Sequence, residues 1–79
     1  MGTMNKQRRK AVDAVYTKLE ELMSDLEAIK DEEEEALDNL PESFQESERA
    51  EAMGEAVENL EEAISSLQEA LDYMSDAAG

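Results

Sequence analysis

Val12, Val15, Leu19, Leu22, Leu26 and Ile29 step along the first half of the chain by threes and fours, with mostly polar residues between them. That spacing is the a/d repeat of a helix carrying one apolar seam, which Met23 widens. No Gly or Pro falls between Thr3 and Leu40, so one helix is expected over about 5–38. At 1.5 Å per residue it would be roughly 50 Å long. Pro41 ends it, because a proline pushes the residue before it, Leu40, out of helical backbone. A turn over about 39–46 follows. Two caps compete for the start of the next helix. Ser43 and Glu46 fit the S-x-x-E capping box, and Ser47 stands directly before Glu48.

The second helix is expected over about 47–76, with Met53, Val57, Leu60, Ile64, Leu67, Leu71 and Met74 on its seam. Beside that seam runs Ala56, Ala63, Ala70 and Ala77, one alanine every seven residues. Alanine is the best helix former, but so strict a row of small side chains points to close helix packing. Gly54 lies off the seam, where it marks either a close contact or a weak spot. The fold class is therefore all-α: an antiparallel two-helix hairpin, one domain over 1–79. A lone hairpin leaves each apolar stripe half covered. Met23, Leu37, Val57 and the row Ala56, Ala63 and Ala70 extend past a single seam, and a dimer forming a four-helix bundle would cover them.

Chain length supports the same expectation. Seventy-nine residues bury little apolar surface, and neither cysteine nor histidine is present to supply a disulfide or the usual zinc site. A second copy is the remaining source of stability. The lack of cysteine also fits a reducing, cytoplasmic setting. No apolar run is long enough to span a membrane, and Lys6 stands where an N-myristoylation signal beginning at Gly2 needs Ser or Thr.

Charge then orients the parts. The formal net charge is -15, from 22 acidic and 7 basic residues. Lys6, Arg8, Arg9, Lys10 and Lys18 come early; after Lys30 only Arg49 is basic, against seventeen acids. The first helix thus opposes its own dipole at both ends. Folding back is expected to set Lys6–Lys10 beside Glu69, Asp72 and Asp76. A second hairpin packed antiparallel would bring its Arg8 and Arg9 to the acidic turn. Glu33 falls on the extrapolated seam, where local opening would let its carboxylate reach water.

These residues make catalysis and specific metal binding poor expectations. There is no His or Cys for base or nucleophile, no Gly-rich phosphate loop, and no Glu-x-x-His pair. A helical run such as Asp31–Glu35 spreads its carboxylates around the axis. No cofactor, metal or direct nucleic-acid contact is expected. Tyr16 and Tyr73 are expected to meet at the open end of the hairpin, as end packing.

The remaining signal is the acidic surface: Asp31, Glu32, Glu34, Glu35, Glu46, Glu48, Glu51, Glu55, Glu58 and Glu62. Such a face is ordinarily only solvated. Its charge density suggests more. Two hairpins side by side carry 30 net charges over roughly 50 Å, or one per ~1.7 Å, which is the mean linear charge of duplex DNA. The expectation is a non-catalytic dimer that binds a basic, nucleic-acid-binding protein as a DNA mimic. The alternative is a self-associating scaffold whose charge serves only solubility.

The motifs Asn39-Leu40-Pro41-Glu42-Ser43 and Ser47-Glu48-Arg49, with the later Ala–Ile/Leu repeat, give Asn39 to Met74 a resemblance to a known group. The segment resembles small acidic helical-hairpin proteins of phages and mobile elements of Gram-positive bacteria. The resemblance covers under half the chain and brings no established activity. A phage origin would imply host-directed inhibition as a role.

Overall fold

Helix α1, Lys6–Asp38, begins at an Asn5 cap in the computed structural model, which describes residues 4–79. Gly2 lies outside that range. Asn5 is extended, and its side-chain oxygen accepts the Arg8 N–H at 2.8 Å, satisfying one donor left free at a helix start. No acid lies in the first turn of α1 and no base in its last, so its dipole is opposed as the charge order predicts.

The helix ends two residues short of Leu40. Asn39 is the cap and donates its backbone N–H to the Glu35 carbonyl at 2.9 Å. Leu40 donates to the Leu37 carbonyl at 3.2 Å, and Pro41 is extended at φ -55°, ψ 147°. A single 3-10 turn, Glu42–Phe44, then reverses the chain, closed by Phe44 N–H to the Pro41 carbonyl at 2.8 Å. Gln45 ties the turn back to α1 by donating its side-chain amide to the Leu40 carbonyl at 2.7 Å.

Helix α2, Glu48–Ala78, starts from Ser47. The Ser47 hydroxyl accepts the Ala50 N–H at 3.2 Å and donates to the Phe44 carbonyl at 2.7 Å. Ser43 sits inside the 3-10 turn, so the capping box Ser43–Glu46 is not used. Glu48 and Glu51 in the first turn suit the α2 dipole. With no Gly or Pro between Gly54 and Gly79, α2 continues past Asp76 to Ala78.

The two helices pack along each other into a body of 59 × 16 × 12 Å in Cα dimensions, with no strand among the described residues. The α2 side of the seam is Ala50, Met53, Val57, Leu60, Ile64, Leu67, Leu71, Met74 and Ala78, all buried or half-buried. Ala50, Val57 and Leu71 are the buried core, and Leu71 is the most enclosed at 1% exposure.

On α1 the seam differs from the expected one. The half-buried residues are Val12, Tyr16, Leu19, Met23, Leu26, Lys30, Glu33, Leu37 and Leu40. This is also a strict three–four repeat, sharing Val12, Leu19 and Leu26 with the all-apolar stripe. Val15, Leu22 and Ile29 instead point away from α2, at 48, 56 and 54% exposure. Val57 is thus buried inside the hairpin, and Met23 and Leu37 lie half-buried on the same seam.

Gly54 makes no close contact. A methyl group built there meets nothing within 4 Å. The glycine is a weak spot in α2, so Gly54→Ala is expected to raise stability by about 0.5–1 kcal/mol through lost backbone freedom in the unfolded chain. A thermal melt followed by circular dichroism checks this; a lower melting temperature would reveal a neighbour that needs the space.

Candidate interaction surface

The seam runs on through two charged positions, Lys30 and Glu33, both half-buried. Lys30 lays its stem along the seam and turns its ammonium out to Asp31 at 2.8 Å and Glu34 at 3.9 Å. The bond to Asp31 raises the Lys30 pKa above its ordinary value against the opposing effect of burial, and Glu34 and Glu61 add to the rise. Because the folded-state pKa is the higher one, this stabilisation is complete below about pH 10.5 and is lost only above it. Glu33 stays half-exposed on the seam, as its position required.

The neighbours of Lys30 also mark the register of the two helices. Lys30 shares a shallow groove of about 320 Å³ with Glu27, Asp31, Glu61, Ile64 and Ser65. At the open end Val12, Asp13 and Tyr16 line another, of about 400 Å³, with Met74, Ser75 and Ala78. Both grooves open on the same flank, where the rows Asp13, Glu20, Glu27 and Glu34 of α1 and Gly54, Glu61, Gln68 and Ser75 of α2 face each other. In an antiparallel pair the rows on the other side of the two seams must share the opposite flank. Those rows are Val15, Leu22, Ile29 and Ala36 on α1, and Ala56, Ala63, Ala70 and Ala77 on α2. One flank is acidic and the other is apolar.

The acids have their own order on α2. Glu48, Glu51, Glu55, Glu58, Glu62, Glu69, Asp72 and Asp76 form a stripe along the outer face, each exposed, with a gap only at Ser65 and Ser66. Asp31, Glu32, Glu34 and Glu35 of α1 and Glu46 of the turn are exposed as well. All ten acids of the predicted binding surface thus reach solvent, and those at the turn end are brought together from both helices. Among the described residues no three or more acidic groups converge as a metal site, and no helix is long and apolar enough to cross a membrane.

Lys6, Arg8, Arg9 and Lys10 are exposed, but they do not come to lie beside Glu69, Asp72 and Asp76 as expected. Among the described residues the ion pairs all belong to Lys30. The reason is length: Gly79 lies level with Val12 and Asp13, so the basic cluster projects past the end of α2. Tyr16 and Tyr73 do not pack together either. Tyr16 is half-buried on the seam, whereas Tyr73 lies on the outer side of α2 at 74% exposure.

The turn contributes one feature with no hydrophobic periodicity to announce it. Leu40, Pro41 and Phe44 line an open groove of about 600 Å³ with Ser47, Glu48 and Arg49. Phe44 remains exposed there because the 3-10 turn carries its side chain past the end of the seam.

Compared with protein families, curated proteins and solved structures, the chain finds no match. The surface must therefore be read on its own chemistry.

Proposed function

We propose that the chain is a non-catalytic interaction protein. It works as a homodimeric four-helix bundle and offers its acidic outer faces to a basic protein surface that otherwise holds nucleic acid. The observation that carries this reading is the separation of charge from packing. The exposed acids of α2 form an outer stripe broken only at Ser65 and Ser66, while the flank formed by the alanine row and Val15, Leu22 and Ile29 holds no acid in any of its rows. A purely solubilising charge has no need of such order. Two copies joined through apolar surface would double the linear charge density without bringing their acids into contact.

A basic groove built for phosphates would be attracted over long range, and its binding would weaken steeply as salt rises. The size of the body fits such a groove: 59 Å is on the order of 17 base pairs of duplex at 3.4 Å each. Host-directed inhibition, the role implied by the resemblance to phage proteins, is one use of that chemistry.

The test is capture and release. Immobilised protein should retain a nucleic-acid-binding protein from lysate at low salt, and duplex DNA should displace it. A variant with Glu48, Glu51, Glu55 and Glu58 all changed to Gln should capture about tenfold less or worse, given the loss of four charges. Capture that duplex DNA cannot displace, or that the four-Gln variant retains, would favour the scaffold alternative, in which charge serves solubility alone.

A further inference from the structure

The apolar flank defines where a second copy packs, and how. We infer that Val15, Leu22 and Ile29, with Ala56, Ala63 and Ala70 beside them, form the dimer face, and that the two hairpins meet there with their turns at opposite ends. This rests on the self-association proposed above and adds its surface and orientation.

Three observations select another copy of this chain as the occupant. First, the hairpin alone is barely a folded core: among the described residues three are buried, and only Leu71 completely. Large aliphatic residues left half-exposed in a regular row are the surface it has to spare. Second, the flank is the one long side of the body that a chain of net charge -15 can present to itself. Its rows carry no acid, and each begins with an arginine, Arg8 on α1 and Arg49 on α2. The opposite flank sets Asp13, Glu20, Glu27 and Glu34 in the equivalent row, so the same contact there would stack like charges. Third, the extent is sufficient. A two-helix face of 59 by 16 Å is comparable with the roughly 800 Å² that each partner commits to a stable interface.

Orientation follows from the ends. Turns placed together would fit the ridge of Val15, Leu22 and Ile29 into the partner's alanine trough. They would also set the ten acids between Asp31 and Glu51 against ten more, with little base nearby to offset them. Turns placed apart keep the apolar contact, stacking α1 on α1 and α2 on α2. They also lay Arg8 and Arg9, which find no partner acid on their own α2, along the acidic end of the other copy.

Sedimentation with a charge-matched pair of variants tests the face. Leu22→Lys with Ile29→Lys should weaken self-association by about a hundredfold or more, since two central apolar residues are lost from each chain. Lysine makes the body less negative, so general charge repulsion predicts the reverse sign. Glu20→Gln with Glu27→Gln makes the same charge change, +2 per chain, on the other flank and should not weaken the dimer. A monomeric wild type would overturn self-association itself. A wild-type dimer that tolerates the first pair would overturn only the face. Should the first pair fail to fold, isotope-filtered NOEs in mixed-labelled wild type decide instead. The methyls of Leu22 and Ile29 should show cross-chain contacts, and a dimer without them refutes the face. Spin labels on Ser43→Cys, in a chain with no other cysteine, should report tips separated by nearly the length of the body. Adjacent tips would overturn the orientation.

Discussion

Leu71→Ala should cost about 2–3 kcal/mol of stability, the lower part of the range for a buried leucine truncated to alanine. Leu71 is the most enclosed side chain of the hairpin, at 1% exposure, so removing its terminal carbons opens a gap in the seam. A layer of only two helices can close over part of that gap, which keeps the cost below the upper end of the range. The effect is still large for a chain this small, because small domains retain only a few kcal/mol in all. Circular dichroism should show a fall in melting temperature at every protein concentration. Leu22→Ala, at a position facing away from α2, should matter only where concentration favours association. Equal losses at the two sites, independent of concentration, would mean that the seam has been placed wrongly.

Raising salt should tighten self-association while it loosens binding to a basic partner. Two bodies of net charge -15 repel as they approach, and that repulsion extends over a Debye length of about 30 Å at 0.01 M salt and about 10 Å at 0.1 M. The apolar flank is indifferent to screening by comparison. Between 0.01 and 0.3 M salt the dimer constant should improve by about tenfold or more, whereas steered binding to a cationic groove should fall by at least as much. Sedimentation equilibrium across a salt series reads the first; the capture experiment repeated across the same series reads the second. A dimer that weakens with salt would show that Arg8 and Arg9 against the acidic turn, and not the apolar flank, hold it together.

The two helices and the break at Pro41 were legible in the sequence because they rest on local chemistry: unbroken three–four spacing, and a proline with no donor. The choice between Ser43 and Ser47 was not, since each satisfies a capping rule and only the 3-10 turn after Pro41 decides which one meets α2. The α1 seam was misplaced for a related reason. Val12, Leu19 and Leu26 form a central row with apolar residues on both sides, and the wholly apolar side looked the better seam. The structure uses the other side, which includes Tyr16, Met23 and Leu37 and accepts Lys30 because its long stem is apolar while its charge reaches water. An apolar band this wide fits two neighbours, and spacing alone does not say which edge the chain keeps for itself. The exposure of the acidic residues was plain from composition. Their alignment into a stripe on α2, opposite in character to the alanine flank, became visible only once the helix register was set.

The acidic stripe touches neither seam nor cap beyond the first turn of α2. Its members can therefore be exchanged, moved or reversed in sign with little consequence for folding. Selection can redraw the outward face of this hairpin one carboxylate at a time, following a changing target, while Leu71, Val57 and the turn at Pro41 stay as they are.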